Sequence, residues 1–128
     1  MAAPKAHVFA LAALFLLCGA TARAHHSFGA EYDAQRPVTV TGVVTKIEWT
    51  NPHCHFYVDV TDERGNVVNW KFEGYGIGPL YRNGWKRDVT MKAGDHITVT
   101  GWRARDGGPW AQATEAETPE AGGDLRPT

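Results

Sequence analysis

Through most of the chain after Pro37 apolar and polar residues alternate one for one, and a period of two commits a polypeptide to strands rather than helices. Residues 55–61 show it most cleanly: Phe56, Val58 and Val60 would point one way, and His55, Tyr57 and Asp59 the other. Carried back, the same alternation turns Cys54 inward and His53 outward. Residues 67–73 repeat the pattern with Val68, Trp70 and Phe72. The polar turn Asp62-Glu63-Arg64-Gly65-Asn66, with a glycine able to take positive φ, should join these two runs as a hairpin. Ahead of them, residues 37–49 are rich in β-branched side chains, with Val38 and Val40 on one face. Gly42 is expected to mark a bulge, after which Val43, Ile47 and Trp49 would continue the buried side. A fourth strand over residues 96–103, with Ile97 and Val99 inward, and a fifth over residues 110–114 flank the turn Asp106-Gly107-Gly108.

Only residues 74–88 are not strand-like. Ile77, Leu80 and Tyr81 suit one or two helical turns that start near Pro79 and stop at Asn83-Gly84. Three strands, a short helix and two strands form the order of a small five-stranded OB-like barrel, all-β with one helix between strands three and four. An open sheet capped by the helix is the alternative. Its limits are expected at residues 37–114, preceded by an N-terminal segment at 25–36 and followed by a polar, disordered tail at 115–128.

The first two dozen residues have a different character. Lys5 supplies a positive start, residues 8–20 form an apolar run, and Ala22-Arg23-Ala24 offers small residues where a signal peptidase reads. The run is shorter than the roughly 20 residues a spanning helix needs. Residues 1–24 are therefore expected to be a cleaved signal peptide, which makes the mature protein periplasmic or secreted, without membrane insertion. Cys18 follows Phe15-Leu16-Leu17, bulky residues that argue against lipoprotein processing.

Cleavage would leave 104 of the 128 residues, enough for one core. It would also leave 11 basic against 14 acidic side chains, a formal charge of −3. Neither the balance nor the distribution provides the clustered Lys and Arg that hold phosphates, so nucleic acid is not an expected partner. Cys54 becomes the one remaining cysteine, and no internal disulfide can form.

The mature start HHSFGAEYD, the segment VTVTGVVTKIEWTNPHCHFYVDV, the WKFEG and the later GWKRDVTMKAGDHITVTGWRARDG resemble a family of small exported bacterial proteins of unknown function. The resemblance runs from His25 to about Ala113 and implies an exported single β-rich domain with no assigned activity. At Cys54 and His55 the chain departs from that pattern, where apolar or aromatic residues are usual, so the resemblance implies no role for either.

Histidine carries the most unusual chemistry. Five of six histidines lie beyond residue 24, and four form two tight clusters, His25 with His26 and His53 with His55. A first-position histidine offers both its α-amine and its ring nitrogen. Positions 53 and 55 share a strand face with Cβ atoms about 7 Å apart. Together they would give the nitrogen-rich set that Cu(II) favours, which makes copper the expected cofactor. The plainer reading is that these are solvated strand histidines beside a sticky end. His96 reads as a surface residue, and Cys54 as a small core hydrophobe rather than a soft ligand. A second candidate surface is aromatic: Tyr57, Trp85 and Trp102, if exposed together, could stack on a glycan or small molecule or dock a protein. With no paired-carboxylate motif, no GxSxG elbow and no P-loop, a binding role comes before catalysis.

Overall fold

A computed structural model describes residues 28–119 and 122–124. A four-residue helix, α1 (Phe28–Glu31), leads directly into the long strand β1 (Tyr32–Glu48). There follow β2 (His55–Thr61), β3 (Val67–Glu73), α2 (Ile77–Arg82), β4 (His96–Ala104), β5 (Trp110–Glu117) and a short β6 (Gly122–Asp124). β2 and β3 have the limits that alternation predicts, and Gly65 takes φ 83° in the turn between them. The helix expected between the third and fourth strands is present, and Gly84 ends it with φ 87°.

Five strands close into a ring. β1 pairs antiparallel with β2 on one side and β4 on the other, β3 continues from β2, and β5 from β4. A short parallel register between Lys71–Glu73 and Trp110–Gln112 closes the circle. β1 makes this possible by serving two neighbours, pairing with β4 up to Val43 and with β2 from Val43 onward. Gly42 sits at the handover, where an added Cβ would lie 2.2 Å from the Asp59 carbonyl oxygen. Its role is to let two backbones approach, and the bulge expected there falls instead between Val44 and Lys46. In consequence Val44, 1% exposed, takes the buried position expected for Val43.

The core is apolar and continuous. Val40, Val44, Phe56, Val58, Phe72, Ile97 and Val99 fill the ring, while Leu80 and Trp85 belong to the same cluster. Phe72 stacks on Phe56 at 5.2 Å and on Trp70 at 6.0 Å. Each such buried side chain contributes roughly 1.5–3 kcal/mol relative to exposure. Ala111, Ala113 and Ala116 are buried along β5.

Two expected limits are corrected. The segment at 25–36, expected to precede the fold, already contains the start of β1, because Tyr32 is 3% exposed and belongs to the interior. At the other end, the tail expected to be disordered from residue 115 begins inside β5, since Ala116 is 1% exposed, and Gly122–Asp124 pairs with Glu115–Glu117. The expected signal peptide, with His25 and His26, lies outside the described residues. Among the described residues no helix is long and apolar enough to cross a membrane.

Candidate functional site

His53 reaches its place through a fixed loop. Asn51-Pro52, a cis peptide, breaks away from β1, and Asn51 Oδ1 accepts the Ile77 amide at 3.1 Å, tying the loop to α2. The Thr50 hydroxyl donates to the His53 carbonyl at 3.1 Å, and the Cys54 amide donates to the Tyr75 carbonyl at 2.9 Å. These bonds aim the His53 ring at the end of β3, where its Nδ1 lies 2.7 Å from Glu73 Oε1. The other carboxylate oxygen, Oε2, accepts from the Tyr32 hydroxyl at the beginning of β1.

Aromatic rings enclose this pair. Phe28 of α1 lies against the His53 ring with centroids 4.9 Å apart, and meets Tyr75 edge-on at 5.6 Å. Tyr32 meets Trp110 edge-on at 5.3 Å. Gln112, opposite Glu73 in the parallel register and fully buried, donates from Nε2 to the Tyr75 hydroxyl at 3.1 Å. Six parts of the chain thus supply one corner: α1, the start of β1, the loop before β2, the end of β3, the loop after it and β5.

The electrostatics follow from burial. Desolvation, then the hydrogen bond and charge of Glu73, push the Tyr32 phenol far above its ordinary range and keep it a neutral donor. The Glu73 side chain is 15% exposed and that of His53 31%, so the carboxylate is the more sheltered partner. With Nδ1–H donated to Glu73, the Nε2 lone pair is the electron pair the ring can still offer.

His55, two residues on, is half-buried and lies opposite Glu73 on one neighbouring strand and Glu48 on the other. Desolvation first, then nearby Lys71, holds its pKa below the ordinary value; His53 adds to the shift, which puts the two rings in electrostatic range. His25 and His26 lie outside the described residues. Among the described residues no three His, Cys, Asp or Glu side chains converge as a metal-binding group. His96 is exposed, as expected of a surface residue.

The aromatic surface expected from Tyr57, Trp85 and Trp102 is corrected. Trp85 is 5% exposed, because the turn after α2 folds its backbone onto the Leu80 carbonyl and its ring into the core. Tyr57, under the Lys46 ammonium at 5.4 Å, and Trp102 are half-buried on strands separated by β1. The rings that do assemble are Phe28, Tyr32, Tyr75 and Trp110. Phe28 and Tyr32 stand four residues apart in HHSFGAEYD, a spacing that signals a shared face at a short helix.

Cys54 takes the opposite direction from His53. It is 4% exposed, lines a small apolar cavity with Ile47, Trp49, Phe56, Trp85 and Met91, and burial pushes its thiol up. That is the core position the alternation predicts.

Comparison with curated proteins and with solved structures gives no match. A family model does match, over residues 13–112, a stretch that includes α1, β1 to β4 and the start of β5. With that match the chain belongs to a family of unknown function, DUF6152.

Proposed function

We propose that this protein is an exported, OB-like barrel that binds a copper-type metal ion through His25, His26 and His53, with His55 as a further donor. The observation that carries the reading is the His53–Glu73 pair. A metal-ligating histidine almost always donates its second ring N–H to a carboxylate or carbonyl, which fixes the ring and strengthens the donor nitrogen. Here the carboxylate is itself held by Tyr32, so the whole assembly is oriented before any ion arrives.

The remaining nitrogens are close in sequence: Phe28, whose ring rests on that of His53, follows His26 by two residues and His25 by three. Cleavage after Ala24 would free the His25 α-amine to chelate together with its own ring. An amine and two or three imidazoles make the nitrogen-rich set that Cu(II) prefers. The OB-like reading is supported by the ring order β1-β2-β3-β5-β4 with a helix between β3 and β4.

The test is a Cu(II) titration of protein that begins at His25, followed by calorimetry and electron paramagnetic resonance, with His53→Ala in parallel. One ion per chain is expected with a multi-nitrogen spectrum, and the variant should lose at least about tenfold in affinity. Equal binding by both forms would reduce the N-terminus to a sticky end and overturn the reading. An extra residue placed before His25 should also weaken binding, since the amine would leave its chelate.

A further inference from the structure

We infer that Gln112 and Tyr75 are positioning residues for His53, a linked pair that fixes the plane of its ring; the purpose of that placement rests on the metal reading of His53 above. Gln112 is an unfavourable residue for the place it occupies. It sits on β5 at the seam that closes the ring, opposite Glu73, between Ala111 and Ala113, and all three are fully buried. An amide taken out of water costs free energy unless both its ends are bonded. Its Nε2 donates to the Tyr75 hydroxyl at 3.1 Å, while among the described residues its Oε1 meets no donor. A leucine of similar volume would leave no polar atom of its own unpaired, so the core gains nothing from the amide. What the amide supplies is a hold on Tyr75.

Tyr75 passes that hold to His53 by two routes. Its carbonyl accepts the Cys54 amide at 2.9 Å, and the Cys54 carbonyl accepts the Gly74 amide at 2.8 Å, so the residue next to His53 is zipped to the loop after β3. Its ring meets Phe28 edge-on at 5.6 Å, and Phe28 lies on the His53 ring at 4.9 Å. The helix that carries Phe28 is anchored in turn. From the turn between β4 and β5, Arg105 donates from Nε to the Gly29 carbonyl and from its own amide to the Glu31 carbonyl, each at 2.9 Å. A hydrogen bond to Glu73 fixes one point of the imidazole and leaves the ring free to swing about it. A surface against the ring's face removes that freedom. Glu73 therefore places Nδ1, and Phe28, backed by Tyr75 and Gln112, sets the direction of Nε2. Removing a group that orients a ligating histidine typically costs about 10–100-fold in affinity, and Gln112, acting through two further side chains, should cost about three- to tenfold.

The experiment compares the parent starting at His25 with Gln112→Leu and Tyr75→Phe, each alone and combined with His53→Ala. Two quantities are read: the ring-current shifts of the His53 ring protons in the metal-free protein, and Cu(II) affinity by titration. Gln112→Leu should melt no lower than the parent. It should nevertheless move the His53 protons toward the positions of an unstacked ring and bind copper about three- to tenfold more weakly. Tyr75→Phe, which removes only the hydroxyl, should give the same two changes, and it carries the test if Gln112→Leu does not fold. With His53→Ala in place, neither substitution should alter copper affinity further. Unmoved His53 protons in both variants would overturn the inference. So would moved protons with unchanged copper affinity, or an equal loss of affinity in the His53→Ala background, and either result leaves the metal reading standing. A parent that binds no stoichiometric ion would overturn the metal reading, and the proton shifts alone would then decide whether the pair places the ring.

Discussion

At the start of β2 two adjacent residues meet two kinds of interior. Cys54 faces an apolar cavity among Ile47, Trp49, Phe56, Trp85 and Met91, with its thiol donating to the Thr50 carbonyl at 3.6 Å as its one polar contact there. His53 faces a corner of linked polar groups: its Nδ1 meets Glu73, Glu73 meets Tyr32, and Tyr75 meets Gln112. Dispersion and the hydrophobic effect act in all directions and tolerate swaps among hydrophobic side chains of similar volume. A hydrogen-bonded corner tolerates a change of volume better than the loss of one partner, because the group left behind stays desolvated and unpaired. The cavity side therefore accounts for stability, and the His53 side for orientation.

The largest expected effect is on the cavity side. Phe72→Ala removes a fully buried ring stacked on Phe56 and should cost about 3–5 kcal/mol in denaturant-induced unfolding. Glu73→Ala comes next. It strands the Tyr32 hydroxyl, on a residue 3% exposed, and should cost about 1–3 kcal/mol, while lowering copper affinity about 10–100-fold. A Glu73→Ala protein as unstable as Phe72→Ala, with copper binding intact, would make the corner an extension of the core and dissolve the contrast.

Smaller effects sharpen it. The Tyr32 phenol is held above its ordinary value, so the stability this brings is fully present below about pH 10 and is lost as the pH rises from there toward the folded-state value. Melting midpoints followed upward from about pH 8 should fall less steeply in Tyr32→Phe than in the parent. The mildest test uses a thiol reagent: burial raises the Cys54 thiol and hides it, so labelling should be slow until the protein unfolds. Fast labelling of the folded protein would place Cys54 on the accessible side with His53.

The contrast also separates what the sequence discloses from what it does not. Strict alternation placed β2 and β3 to the residue, turned Cys54 in and His53 out, and located α2, because period and turn chemistry are local properties. The corner was legible only through His53 itself. Glu73 lies 20 residues after His53 and Tyr32 lies 41 residues before Glu73, joined by sheet register rather than by any spacing a reader of the chain could use. The bulge moved from Gly42 to the step after Val44 for a similar reason: the glycine answers to a backbone on another strand, Asp59, and not to its own neighbours. Trp85 misled because a turn with a glycine at its centre can return a ring to the interior as readily as expose it.

The docking of Gly29 and Glu31 on Arg105 has a consequence for the order of events on the ribosome and after it. The bond from Arg105 to Gly29 spans 76 residues, and the pairing that closes the ring waits for Trp110 to Gln112. β2 and β3, joined by a five-residue turn, can form early, whereas partners this distant in the chain must first meet the entropy of closing a long loop. The earliest-made part of the fold is thus among the last to find its place.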